Sequence, residues 1–184
     1  KQVPISEKSH MSHIFISYSH KDKIFARDQL KVELESRNFD CWIDVDDIPP
    51  TAEWQKEIDK KLEESIAVVF VISPSSISSQ PCRNEIVNAI KIGKRIIPIV
   101  THEINSKDVP EEIGKINDIQ WIFFREGQDN FSASYGKLIE AITTDLAWVE
   151  FHGNLLQKAL EWERNGKAKR KLLHGIDVWQ FDQE

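Results

Sequence analysis

The chain has 184 residues, with 30 Asp and Glu against 24 Lys and Arg, and a formal net charge of −6. That balance disfavours a nucleic-acid surface covering the whole domain, and 40% hydrophobic with 29% charged residues is a globular rather than a disordered composition. No apolar run is long enough to span a bilayer, no secretory signal is visible, and Cys41 and Cys82 lie in separate motifs without metal-ligand partners. A reducing, cytoplasmic setting is expected, with no disulfide framework and no zinc site.

Residues 1–10 lack periodicity, and Ser9-His10-Met11 reads as a vector junction, so this stretch is set apart as tag-derived or disordered. His13 to Tyr18 is a short β-rich run ended by the polar cluster Ser19-His20-Lys21-Asp22. Asp22 is expected to cap the next helix, where Phe25, Ala26, Leu30 and Leu34 keep a helical period until Arg37-Asn38. Phe39 to Ile43 is a second strand, followed by the acidic loop Asp44 to Ala52, which Pro49-Pro50 keeps out of helix. A second helix follows with Trp54, Ile58 and Leu62 on one face.

The central stretch runs from Ile66 to Ile90. Its apolar strand Ala67 to Ile72 suits a position buried on both faces, and a Ser/Pro loop leads to a helix whose first turn is expected to carry Cys82, Arg83, Asn84 and Glu85. Arg95 to Val100 is a fourth strand whose Pro98 signals the end of a ladder or an edge. After a polar segment with a short helical turn near residues 110–113, Ile119 to Phe124 forms a fifth strand. Tyr135 to Val149 is a closing helix with Leu138, Ile139, Ile142 and Leu146 inward. Alternating strands and helices predict an α/β, flavodoxin-like fold: five parallel strands with helices on both faces. The globular domain is placed at 11–149, and 150–184 is read as a helical extension leading to a further module. Within it, the basic run Arg164 to Lys171 reads as a solvated connector rather than a nucleic-acid contact.

Four motifs, in order, resemble the TIR (Toll/interleukin-1 receptor) domain. Phe15-Ile16-Ser17-Tyr18-Ser19 with Asp22 is similar to that family's opening motif, and Trp42-Ile43-Asp44 to its second strand and BB loop. Ile72-Ser73-Pro74, Ser79 and Cys82-Arg83-Asn84-Glu85 resemble the third-strand exit and the helix bearing the catalytic glutamate. Lys94 to Ile99 resembles the fourth strand. Asp46 to Trp54 looks closest to bacterial members, and the tail Leu155 to Gly175 resembles the segment that joins such domains to repeat or sensor modules. The resemblance implies cleavage of NAD+ between nicotinamide and ribose, with Glu85 as the catalytic carboxylate. It also implies homotypic self-association, a C-terminal sensor or repeat module, and a role in bacterial immune or stress signalling. One departure stands out: Pro81 precedes Cys82 where several active members carry an aromatic residue.

The implied chemistry needs one carboxylate near the anomeric carbon, because the transition state is oxocarbenium-like and nicotinamide departs already cationic. From spacing alone, Glu85 reads as a first-turn acid complementing the helix dipole; the resemblance turns it into the catalytic candidate. The candidate substrate-binding residues are Ser17, Tyr18, Ser19, Asp44, Asp46, Trp54, Ser73 and Cys82. Trp54 would stack on a base or pack on the sheet. Asp44 and Asp46 would hold ribose hydroxyls or shape a turn, and turn formation is preferred for Asp47. Tyr18 reads first as a packed residue, and Cys82 as a packing cysteine rather than a nucleophile. Six scattered histidines form no metal cluster, and neither GxGxxG nor Walker A is present, which excludes a dinucleotide-dependent dehydrogenase of that type and a P-loop ATPase. No resident cofactor is expected; NAD+ enters as substrate. The competing reading is a non-catalytic adaptor that docks through Ile48, Pro49 and Pro50.

Overall fold

A computed structural model describes residues 13–43 and 52–144. The chain divides into two compact units, Lys1–Ala141 and Ile142–Glu184; of the second, the helical residues 142–144 are described. The first unit is built on five strands, β1 (Ile14–Ser17), β2 (Cys41–Ile43), β3 (Ala67–Ile72), β4 (Ile96–Val100) and β5 (Ile122–Phe123). All pair in parallel, in the order β2-β1-β3-β4-β5. The helices are α1 (Val32–Ser36), preceded by a π-wound stretch Ile24–Lys31, then α2 (Ala52–Glu64), α3 (Pro74–Ser78) and α4 (Gln80–Lys91). A last helix, α5, covers residues 131–144. Among the described residues no helix is long and apolar enough to cross a membrane.

Why β3 is central follows from its side chains. All six are buried, which requires cover on both faces, and strand alternation divides them into two sets. Val68, Phe70 and Ile72 join Phe15 of β1, Ile58 and Leu62 of α2, and Ile86 and Ala89 of α4 in one hydrophobic cluster. The other set, Ala67, Val69 and Val71, shares its face with Ile14 and Ile16 through the β1–β3 register. The four-residue spacing of buried Ala26, Leu30 and Leu34 gives the helix after β1 its inward stripe.

Pro98 lies inside β4, which pairs with β3 on one side and β5 on the other, so β4 is not an edge. The Thr101 N–H donates to the Ile72 carbonyl; by strand alternation the Pro98 nitrogen therefore faces the β5 side. There the ladder covers Ile99 and Val100 alone. A missing N–H thus marks the end of the β4–β5 ladder, and β5 is short for that reason. The Ser/Pro stretch expected as a loop instead contains α3. Ser73 caps it through reciprocal bonds with Ser76, and Pro74 fits the first turn, where no N–H is needed. Gly93, at φ 71°, ends α4, and the Lys94 N–H returns to the Ala89 carbonyl.

α5 starts four residues earlier than periodicity indicated. Asn130 caps it through its side chain on the Ala133 N–H, and Leu138 is buried while Ile139 is half-buried. The expected inward residue Leu146 lies outside the described residues, as do 1–10 and 150–184. The turn expected near residues 110–113 is a longer 3₁₀ segment, Glu111–Asp118. At the sheet's amino edge, polar groups serve the architecture: Lys94 Nζ donates to the Glu63 and Ser65 carbonyls as α2 ends.

Candidate functional site

The strand order reverses between β1 and β3. The chain leaves β1 for β2 on one side, and returns to β3 on the other. Connections diverge there, opening a crevice beyond the carboxyl ends of the two strands. The side chains that converge on it come from two segments, Ser17 to Asp22 after β1 and Ser73 to Glu85 after β3.

Three side-chain hydrogen bonds stitch these segments together. Ser17 Oγ donates to Glu85 Oε2 at 2.6 Å. Cys82 Sγ donates to the Tyr18 carbonyl at 3.2 Å. Ser73 Oγ donates to Asp22 Oδ2 at 2.5 Å. Ser17, Ser73 and Cys82 are each at most 3% exposed, whereas Glu85 is half-buried and so reaches the crevice.

Glu85 does not sit in the first turn of its helix. α4 begins at Gln80, with Pro81 accommodated in its opening turn, and no acid lies in that turn. Glu85 is the sixth helical residue, beyond the reach over which the helix dipole acts. Its carboxylate is held instead by a strand 68 residues away in sequence.

Asp22 was expected to cap the helix after β1. It closes a 3₁₀ turn, His20–Asp22, whose cap is Ser19, and the following helical residues have no side-chain cap. Asp22 is 7% exposed, and its carboxylate is used across the sheet on Ser73. Burial pushes this carboxyl above the usual range, while the Ser73 hydroxyl, His102 and Lys21 draw it back. Sequence reasoning assigned Asp22 no role at the site. Its bond to Ser73 requires β1 and β3 to be neighbours, a fact of topology rather than of spacing.

The remaining candidates divide. Tyr18 is buried, its ring edge-on to His20. Ser19 is 9% exposed and accepts the Lys21 N–H. Trp54 is half-buried, packs on the main cluster and lies against Trp42, which stacks on Phe15. Cys82 is pushed up to about 12, chiefly by burial and then by the nearby Glu85 carboxylate; so protonated a thiol is not a nucleophile. Asp44, Asp46, Ile48, Pro49 and Pro50 lie outside the described residues.

Beside this crevice, and still at the carboxyl edge, a cleft of about 620 Å³ opens between the β1, β4 and β5 exits. Asp22, Lys21, His102, Arg125, Phe25 and Phe131 are among its lining residues, and Glu85 is not. Of its charged lining residues, Asp22 accepts the Ser73 hydroxyl. Arg125 is engaged by Asp129 and Glu103 and lies over the Phe123 ring. At Glu85, by contrast, a half-buried carboxylate is oriented by a buried donor.

A family model for the TIR domain matches residues 14–139. Solved structures with the same fold include the TIR domain of the Toll-related receptor TRR-2 from Hydra magnipapillata. It is 20% identical with a TM-score of 0.58, over 71% of this chain and 97% of that one. The TIR domains of the activated Roq1 resistosome, which recognises the pathogen effector XopQ, give 16% identity and a TM-score of 0.57 over 71% and 99%. A metazoan TIR-STING receptor from C. gigas, solved with 2',3'-cGAMP, gives 23% identity and a TM-score of 0.54. The match covers 91% of this chain and 55% of the receptor. No curated protein matches the chain.

Proposed function

From the premise that this chain belongs to the TIR domain family, we propose that it is an NAD+ glycohydrolase or cyclase with Glu85 as its catalytic carboxylate. The observation that carries the reading is the 2.6 Å bond from Ser17 to Glu85 at the β1/β3 switch point. It supports a carboxylate fixed in orientation, beside a crevice of the kind that open α/β sheets use for ligands.

In the reaction, the bond between the ribose anomeric carbon and the nicotinamide nitrogen breaks. Its electron pair goes to the ring nitrogen, so neutral nicotinamide leaves without an acid. The positive charge that builds on the ribose is stabilised by the Glu85 carboxylate. Water then adds to the anomeric carbon, giving ADP-ribose and one proton; capture by an internal nucleophile of the adenine gives the cyclic product instead. Tyr18, Ser19, Asp44, Asp46 and Trp54 are assigned to the walls that hold the dinucleotide. Self-association, with Ile48, Pro49 and Pro50 at the contact, is assigned to raising activity within a cytoplasmic immune or stress response.

The test is incubation of concentrated protein with NAD+, with nicotinamide, ADP-ribose and cyclic ADP-ribose resolved by mass spectrometry. Wild-type protein is expected to release nicotinamide and Glu85→Gln to lose that release. Equal behaviour of the two proteins would overturn the catalytic assignment and leave the adaptor reading.

A further inference from the structure

We propose that Asp22 is a positioning residue: its carboxylate clasps the loop after β1 to the exit of β3, fixing the wall that Ser19 and its turn present beside the segment holding Glu85. The proposal deepens the NAD+-cleaving reading and rests on it for its substrate. Its geometric basis is independent of that reading.

The segment from Ser17 to Asp22 has six residues and is anchored to the β3–α4 segment at its first, second and last. Ser17 holds Glu85, Cys82 holds the Tyr18 carbonyl, and Ser73 holds Asp22. The first anchor is reinforced by the sheet, since Ser17 pairs with Phe70. The last has no ladder behind it. Released from Ser73, the turn His20–Asp22 would retain within the loop its two bonds to Ser19, from the Lys21 and Asp22 N–H groups. The clasp therefore controls Ser19 and the turn that follows it more than Ser17 and Tyr18, which the ladder and Cys82 hold.

Ser73 is suited to this use. Its hydroxyl accepts the Ser76 N–H as the cap of α3, which leaves its single proton for Asp22. The Asp22 carboxylate is buried at the cost of desolvation, and a charge kept at such a cost beside a crevice is a mark of functional sites. The titratable groups facing it are Lys21 of its own turn and His102 from the β4 exit. Glu103, Arg125 and Glu126 line the same cleft from the β4 and β5 exits. On the α4 side, Asp22 acts electrostatically on Cys82.

The roles of the two anchors separate experimentally. Removing the clasp disturbs the wall and leaves Ser17 on Glu85, so substrate binding suffers rather than turnover. Full-length wild-type, Asp22→Ala, Ser73→Ala, Asp22→Ala/Ser73→Ala and Asp22→Asn proteins would be compared by NAD+ kinetics and by amide hydrogen exchange over residues 17–23 without NAD+. Ser73→Ala and Asp22→Ala are each expected to raise KM about tenfold with kcat held within about twofold. They should speed exchange of the segment about tenfold, consistent with loss of a hydrogen bond to a charged group. The double variant should be no worse than Ser73→Ala, which already loses the clasp together with the cap of α3. Asp22→Asn, which keeps a carbonyl acceptor for Ser73, should restore both readouts.

Unchanged exchange in Ser73→Ala and Asp22→Ala overturns the clasp. Faster exchange with unchanged KM overturns its role in positioning the substrate wall. If Asp22→Ala fails to fold, Ser73→Ala and Asp22→Asn decide alone. If wild-type protein releases no nicotinamide, the function proposed above falls, and the exchange measurement still decides the clasp.

Discussion

Ser17 and Glu85, 68 residues apart, are joined by a 2.6 Å hydrogen bond in which a buried strand-end hydroxyl donates to Glu85 Oε2. A half-buried glutamate on a helix surface ordinarily samples several rotamers, and ordering a side chain of that length costs about 1.5–2 kcal/mol. A donor fixed by the β-ladder lowers the number of orientations that the Glu85 carboxylate samples. Hydrogen bonds to a charged group contribute about 1.5–3 kcal/mol. If that contribution is expressed in the transition state, Ser17→Ala lowers kcat about tenfold or more. KM for NAD+ should stay within about twofold, since Ser17 is 1% exposed and offers little surface to a ligand. Steady-state kinetics of nicotinamide release checks this; a loss confined to KM would make Ser17 a wall residue instead.

The two cysteines are predicted to be inert in the native state. Both are buried, and burial pushes each thiol up to about 12. At pH 8 the thiolate is then about one part in ten thousand. Iodoacetamide at about pH 8 should leave both unmodified over the time in which a free cysteine reacts completely, and denaturant should expose two reactive thiols. Rapid native alkylation of Cys82, followed by intact mass spectrometry, would contradict its burial under Tyr18.

Strand identity was legible wherever the side chains themselves carry the cause. Ala67 to Ile72 is apolar on every position because both faces are covered, and its bounds match β3. Pro98 was legible as a ladder end, but which ladder depended on the strand order. Asp22 shows the limit most clearly. Local pattern makes an Asp before a helix a cap; the bond it forms instead lies 51 residues away. Glu85 was singled out through a family pattern, while its hydrogen-bond partner Ser17 was named only as a substrate contact, because no spacing rule couples residues on opposite sides of a crossover. The Ser/Pro segment shows a third case. Ser73 and Ser76 form a capping box with a serine in place of the usual Glu or Gln, so α3 was hidden.

The core makes a contrast that thermal or chemical denaturation can read. Phe70 is fully buried on the central strand and belongs to the main hydrophobic cluster. Phe70→Ala removes a large side chain from between β1 and β4 neighbours, and such truncations cost about 3–5 kcal/mol. Ile24, 70% exposed at the start of the π-wound stretch, loses little packing on truncation. Ile24→Ala should fall within about 0.5 kcal/mol of wild type. Urea unfolding monitored by fluorescence compares the two, and a small effect at Phe70 would contradict its placement in the core.

Asp22 should make the protein less stable at neutral pH than an uncharged hydrogen-bond acceptor of the same shape in its place. Its folded-state carboxyl lies above the ordinary value, with burial as the leading cause. Between the ordinary value and the raised one, the folded state holds a proton that the unfolded chain has released, so stability falls as pH rises through that window. Below the ordinary carboxylate value, about 3.9, Asp22 is protonated in both states and contributes no such difference. Above the raised value the cost is fully present and constant. Asp22→Asn removes the charge and keeps an acceptor for Ser73, so its melting temperature should exceed that of wild type at pH 7. The excess should shrink as pH falls through the window just above the ordinary carboxylate range. Melting curves of both proteins over about pH 3.5 to 7.5 measure the difference. A gap independent of pH would show that the substitution acts through shape and not through the buried charge, while a wild type more stable at pH 7 would mean that Ser73, His102 and Lys21 together outweigh desolvation.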